Sequence, residues 1–431
     1  MAKAKAKPLT RKEVLAMIRR HGGKAEGLDL SRREFAENTD LSGLDLSGIL
    51  LNEASLWYAY LEGSNLSNAQ LERAALRGAQ LEGADLTGAN ADGADLQGAH
   101  LEGANLSKAQ LKKAGLLKAH LGKAVLPDAH LEGAELEEAH LEWADLSGAH
   151  LKKAYLMRAH LEGANLSSAR LEGAFLEDAD LTGARLVNAH LKGADLQRAD
   201  LRGANLYRAR LQQANLNYAD LRGPETNLIK ADMEGARLYA ADLFQANIEG
   251  VNWGSQNILG EELLHKELSR QEEADEKTKQ ELINEAAAVY RNLKLWHNDR
   301  GMYDTAGEFF FREMTAKRKA LKWHLNPFHK LWSLFVSFTC GYGERPLRAI
   351  VWAASVIVGM GIIYFLIGAD WQLDAFGNSM AFSAMSFTSM GYGSWLEASE
   401  ALTKGIGAFE SFIGVFTIAL FLITFVRKMT R

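Results

Sequence analysis

Only one cysteine, Cys340, occurs in 431 residues, so the chain can build neither a disulfide framework nor a thiolate zinc site. A charge excess of one sign is also missing. The 49 Lys and Arg nearly balance the 54 Asp and Glu, leaving a formal net charge of −5. That balance supports neither wholesale nucleic-acid binding nor disorder. The basic start, Met1–Arg20, lacks the apolar stretch of a secretion signal, so the N-terminal part is expected to stay in the cytoplasm. No nucleophile–base set, phosphate loop, EF-hand or nucleotide pocket can be found, so neither enzyme activity nor a cofactor is expected.

What is present is strongly segregated along the chain. From Leu41 to Leu221 a leucine falls on every fifth residue, with Ala91 the one departure, and from Ala69 to Ala219 an alanine stands two places before it. A period of five matches neither the ~3.6 of a helix nor the ~2 of a strand. Inside each block, however, two alternate positions are apolar, which is strand-like. The chain must therefore turn once per block, and four sides close a coil of twenty residues. Such coils stack at about 4.8 Å, with leucine filling the interior and alanine where only a methyl fits. The expected object is a quasi-one-dimensional solenoid.

Blocks such as Ala84-Asp-Leu-Thr-Gly88 and Ala194-Asp-Leu-Gln-Arg198 resemble the pentapeptide-repeat family, and the resemblance covers roughly half the chain. It implies a right-handed quadrilateral β-helix. The phase slips by one residue between Phe35 and Leu41, and by two between Leu221 and Leu228 at Gly223-Pro-Glu225, where a bulge or break is expected. Some members of that family mimic DNA with strongly acidic surfaces; this surface mixes both signs, and no nucleic-acid partner is expected. A capped helix from Thr10 to Gly22-Gly23, with Glu13 completing a capping box, should cover the first open edge.

The expected domains are a capping helix at 1–27, the solenoid at 28–255, a helical connector at 256–323, an interfacial segment at 324–346 and a membrane unit at 347–431. In the connector, Tyr290, Leu293, Tyr303, Ala306 and Phe310 flank a turn at Asn298–Gly301 and resemble one tetratricopeptide unit. The segment His324–Cys340 is too short to span and fits a helix lying at the membrane surface. Leu347–Ala369 and Ile406–Val426 are apolar runs long enough for a bilayer of about 30 Å. Arg345, Arg348, Arg427, Lys428 and Arg431 lie outside the pair, whereas Asp370, Asp374, Glu397 and Glu400 lie between them. The positive-inside rule then gives a multi-pass protein of the cell membrane with both termini cytoplasmic.

Between the spans, Asn378–Phe387 can form a short helix, followed by Thr388-Ser-Met-Gly-Tyr-Gly393. Non-helical backbone at membrane depth must be buried in protein or line water. The order span, short helix, Thr-x-x-Gly-Tyr-Gly, span resembles the two-span potassium channels. That resemblance implies a homotetramer in which Thr388, Ser389, Met390, Gly391, Tyr392 and Gly393 form a selectivity filter. Carbonyls of Ser389, Met390, Gly391 and Tyr392 would take the place of the hydration shell of K⁺ or another monovalent cation. Three residues depart from the pattern: Ser389 stands for threonine, Met390 for valine and Ser394 for aspartate. The expectation is therefore a potassium-preferring cation channel, with a weakly selective channel or a membrane-tethered scaffold as the alternatives. A similar string, Thr339–Gly343, precedes the first span and reads as a turn at the cytoplasmic interface.

Glu410, one turn inside the second span, needs a partner or a function and reads as a brace behind the short helix. Gly414 fits a gating hinge or a close-packing contact equally. Thr417, Phe421 and Phe425 follow at helical spacing as cavity or gate candidates, with some of the phenylalanines facing lipid. His100, His120, His140 and His160 recur every twenty residues and should form one surface column, with His130, His150 and His190 opposite. A pH-sensing column is one reading. A metal ladder is another, although no orienting carboxylates are read as alternating with the histidines, and copying of repeats explains the pattern without a role. The expected partners are other copies of the chain, membrane lipid and a cytoplasmic protein on the solenoid.

Overall fold

Leucine and alanine can share one interior only if the backbone between them turns in the same way each time. In the computed structural model of this protein, residues 7–254, 259–261, 276–321, 326–367, 373–388 and 401–429 are described. They fall into two compact units, Met1–Glu273 and Ala274–Arg431.

In the first unit each five-residue block contributes one bridging residue and one tight turn. For Ala84–Gly88, Leu86 and the following Ala89 point inward and are essentially inaccessible to solvent. The turn closes when Ala89 N–H donates to the Leu86 carbonyl at 2.9 Å. Its third position has positive φ, as at Gly88 (64°), which is the conformation that glycine adopts without steric cost. Lys108 and Trp143 take the same conformation (φ 59° each), so coil closure overrides local preference there.

Coils join through a parallel ladder. Asp85 bridges Asn105, and the bridges recur at twenty residues from Asp40↔Tyr60 to Asp200↔Asp220. The Asp/Asn preference at this position has a physical cause. Asp85 Oδ1 accepts the Thr87 N–H at 3.0 Å, which anchors the next turn. Where Asn stands above Asp, as Asn165 above Asp145, the amide also donates one coil down at 2.9 Å.

The two slips in phase are absorbed without breaking the stack. Asp29↔Leu50 and Glu34↔Ser55 are spaced by twenty-one residues, and Asn205↔Asn227 through Asp220↔Asp242 by twenty-two. The insertion at Gly223–Glu225 therefore enlarges one coil. Both ends are covered. Helix α1 (Arg11–Arg20) inserts the fully buried Val14, and the Glu13 carboxylate accepts the Thr10 N–H at 2.8 Å. At the far end, buried Leu259 and Glu261 fold onto the last coils, where Glu261 accepts the Tyr239 N–H at 2.9 Å. Burial pushes this carboxyl above its ordinary range, against the bonds from its own backbone, Leu238 and Tyr239.

The second unit is helical: α2 (Glu276–Asp299), α3 (Tyr303–Ala320), α4 (Pro327–Cys340), α5 (Pro346–Ile367), α6 (Leu373–Thr388) and α7 (Ala401–Met429). Helices α2 and α3 pair around Tyr290, Leu293, Ala306 and Phe309, all buried. Phe309, not Phe310, is the core residue, and Tyr303 is 40% exposed. Glu313 is buried between them and accepts from Lys294 (2.8 Å), Arg291 (3.2 Å) and Lys317. Burial alone would raise its pKa, but these three cations hold it below the ordinary carboxylate value. Helix α4 ends at Gly341 in the left-handed conformation (φ 57°). Within the Thr339–Gly343 string, Thr339 and Cys340 close α4 and Gly341–Gly343 form a short 3₁₀ turn, whose Tyr342 hydroxyl meets Ser333 Oγ at 2.6 Å.

The solenoid interior has room for leucine at one position and only a methyl at the other. Leu146→Ala should lower unfolding stability by about 3 kcal/mol. Ala144→Leu, although it adds apolar surface, should lower it by about 2 kcal/mol through overpacking. Urea unfolding of the full chain followed by circular dichroism checks both, and a stabilising Ala144→Leu would contradict this interior.

Candidate functional site

Three helices of the second unit meet at one buried carboxylate. Helix α5 contains a 21-residue apolar stretch (Leu347–Ile367) and α7 one of 19 (Gly405–Ile423), each long enough to cross a bilayer. Most side chains of both stretches are not buried within the chain. The shorter α6 packs between them, starting five residues before the helix expected at Asn378.

Glu410 of α7 has no solvent exposure, and neither does Ser383 of α6. The Tyr364 hydroxyl of α5 donates to Glu410 Oε2 at 2.8 Å, and Ser383 Oγ lies in hydrogen-bond contact with Oε1. Ser383 Oγ also lies 2.8 Å from the Ile357 carbonyl, so one serine ties α6 to both long helices. The Phe382 ring packs edge-on against Tyr364, with centroids 4.8 Å apart. Two glycines permit the approach. A Cβ on Gly414 would stand 1.7 Å from the Phe387 carbonyl oxygen, and one on Gly361 would stand 2.3 Å from Met380 Sδ.

The residues expected to act here are distributed as follows. Thr388 is the exposed last residue of α6, and its hydroxyl donates to the Ala384 carbonyl at 2.9 Å. Ser389, Met390, Gly391, Tyr392, Gly393 and Ser394 lie outside the described residues. Glu410 and Gly414 converge on α6. Thr417 is buried and gives its hydroxyl to the Ile413 carbonyl of its own helix at 2.8 Å. Phe421 and Phe425 stack on each other with centroids 5.7 Å apart, and Phe425 is exposed within the single chain. Tyr364 and Ser383 were missed at the sequence level. No local signal marks them: Ser383 is one of several polar residues in α6, and Tyr364 shares its helix with Ser355.

On the solenoid the histidines form the expected columns. Ring centroids of His100, His120, His140 and His160 are 4.5, 5.1 and 4.7 Å apart in turn, with planes nearly parallel. The reading that carboxylates do not accompany them is corrected by the structure. Glu102 Oε1 lies 3.4 Å from His100 Nδ1 and 3.9 Å from His120 Nδ1, and Glu142 Oε1 lies 2.9 Å from His140 Nδ1. The His-Leu-Glu spacing turns both polar side chains outward around an inward leucine, so they meet on the surface. Burial pushes His120 below the ordinary histidine value, helped by the charges of His100 and His140 and opposed by Glu102 and Glu142. Glu132 and Glu142 lie below the ordinary carboxylate value. Burial would raise each, but bonds from backbone and from His130 or His140 outweigh it.

Residues 36–68, 54–90, 64–103, 92–126, 124–163, 159–198, 184–223 and 225–252 match the family model described as pentapeptide repeats, in eight copies. No curated protein matches the chain. Among solved structures, HetL, a pentapeptide repeat protein involved in heterocyst differentiation regulation from Nostoc sp. strain PCC 7120, shares 31% identity. The match covers 57% of this chain and 94% of HetL, with a TM-score of 0.33. Rfr23 from Cyanothece 51142 shares 36% identity over 23% of this chain and 60% of its own, with a TM-score of 0.16. QnrB1, a plasmid-mediated fluoroquinolone resistance protein, shares 20% over 48% of this chain and 95% of its own, with a TM-score of 0.23.

Two outcomes follow from this geometry. Gly414→Ala should separate α6 from α7, because the Phe387 backbone cannot retreat within a helix, and the solubilised protein should lose several degrees of melting temperature. Acid should destabilise the solenoid in two steps. The unfolded chain binds more protons than the folded one at His120 below its ordinary value of 6.5, and at Glu132 and Glu142 below 4.5, so stability falls as pH drops through each window. His120→Gln should flatten the upper step in a melting series between pH 7.5 and 5.5 and leave the lower step in place.

Proposed function

This chain belongs to the pentapeptide-repeat family, and we propose that it is a tetrameric, potassium-preferring cation channel regulated or anchored by its cytoplasmic solenoid. Family membership implies a right-handed quadrilateral β-helix for the repeat region. The channel reading rests on one observation above all: the short helix α6 is locked between two helices of spanning length by the buried Glu410–Ser383–Tyr364 contact.

A buried carboxylate in an apolar bundle is costly unless it is bonded, and here its two partners bring α6 to a defined depth. The chain then leaves Thr388, the last residue of α6, directly into Ser389–Gly393. A helix C-terminus carries partial negative charge, which favours a cation beside the filter entrance. Carbonyls of Ser389, Met390, Gly391 and Tyr392 from four chains replace the ion's water, with the Ser389 hydroxyl at the innermost site. The faces of α5 and α7 support a lipid and subunit environment. Leu347, Phe412 and Ile423 are 74%, 71% and 67% exposed, a surface that a water-soluble monomer does not leave open.

A second reading has its own observation. Trp143 is 68% exposed on the solenoid and Trp57 55%, with Tyr58 and Tyr60 beside the latter. Exposed aromatics of this kind suit a protein partner, so the solenoid serves as a docking rod whether or not the pore conducts.

In detergent the assembly should have the mass of four chains. Bi-ionic recordings from the reconstituted protein should reverse on the potassium side of zero, and Gly391→Ala should abolish the current. Equal potassium and sodium permeability would replace the selective reading with a weakly selective channel. Absence of current from well-folded tetramers would leave the scaffold reading.

A further inference from the structure

We propose that the solenoid carries a divalent transition-metal site formed by His130, Glu132 and His150, on the face opposite the column His100–His160. The repeat places His130 and His150 in adjacent coils, where their backbones form one parallel bridge. Glu132, two residues after His130, reaches between them. Its Oε1 lies 3.4 Å from His130 Nδ1 and 3.5 Å from His150 Nδ1, and these three atoms lie within 4.8 Å of one another.

The two contacts are long for a charge-assisted hydrogen bond and leave room for an ion between the three atoms. A charge-assisted N–H···O contact closes to about 2.8 Å. Ligand atoms held about 2.05 Å from a tetrahedral zinc stand about 3.4 Å from each other, and both contacts have that length. Ring orientation points the same way. His130 and His150 meet at 62° with centroids 4.5 Å apart, and their Nδ1 atoms lie 3.4 and 3.5 Å from the same oxygen. The histidines of the opposite column lie flat on one another, within 6° of parallel.

The donor set selects the ion. Two imidazole nitrogens and one carboxylate suit zinc, nickel or cobalt, whereas calcium and magnesium take oxygen ligands. With three protein ligands the fourth position stays open to water or to a side chain of a docked partner. All three side chains are about a third exposed, so an ion can enter from solvent without unfolding. The same chemistry recurs on the opposite face at His100, Glu102 and His120, and at Glu142, His160 and Glu162, which makes a difference between variants more informative than a total. The site lies in the repeat unit, and its test does not depend on ion conduction.

The experiment is equilibrium dialysis of the full-length solubilised protein against micromolar ZnCl₂, with zinc counted by elemental analysis. Glu132→Gln and His150→Asn should each bind one zinc fewer per chain than the wild type while melting normally without metal. The Co²⁺-loaded wild type should show nitrogen and oxygen ligands by X-ray absorption and keep its ion in millimolar Ca²⁺. Equal zinc content in the wild type and both variants, or displacement of the ion by calcium, would overturn the site.

Discussion

A carboxylate removed from water must be met by hydrogen-bond donors, and in the second unit that requirement is concentrated on Glu410. Tyr364 and Ser383 answer it from two different helices. Because Ser383 also touches the Ile357 carbonyl, the three helices share one polar node in otherwise apolar surroundings. The glycines are subordinate to that node. Gly361 and Gly414 lack the methyl that would hold α6 away from its neighbours, and α6 can then sink far enough for Ser383 to reach the carboxylate. The arrangement fixes where α6 ends, at Thr388.

The first unit depends on a different constraint, coil closure at a fixed residue count. Backbone bonds between coils, such as Leu86 N–H to the Asn105 carbonyl at 2.7 Å, hold each side at the same level as the one below. Every surface feature then repeats vertically. Histidine columns, Asp–Asn ladders and paired His-Leu-Glu clusters are consequences of copying a short block on a rod with this pitch. Copying explains how the histidines came to be aligned. It does not explain why the His130–His150 pair departs from the flat stacking of the opposite column.

Legibility in the sequence followed the distance over which the cause acts. The solenoid was readable because its period lies within five residues and repeats without interruption. The slip at Gly223–Glu225 was visible as a change of phase, but its outcome required the ladder, in which Asn205 pairs with Asn227 and one coil simply grows. Glu410 stood out as an isolated charge in an apolar run. Its partners did not, because they lie 27 and 46 residues away and look like ordinary hydroxyls in apolar helices. The carboxylates beside the histidines were overlooked for a geometric reason: the intervening leucine points inward, so residues two apart share the outer face. Phe309 displaced Phe310 from the core of the α2–α3 pair because helix rotation is set by Tyr290 and His297, whose rings lie 6.3 and 5.0 Å from it.

The proposed channel requires that Ser389–Gly393 from four chains meet at a common axis. Uptake of ⁸⁶Rb⁺ into liposomes holding the purified full-length protein, driven by an outward potassium gradient, tests it most directly. The account predicts uptake that rises with protein content and is lost in Gly391→Ala. Uptake no greater than in protein-free liposomes, from protein verified as folded and tetrameric, would contradict it.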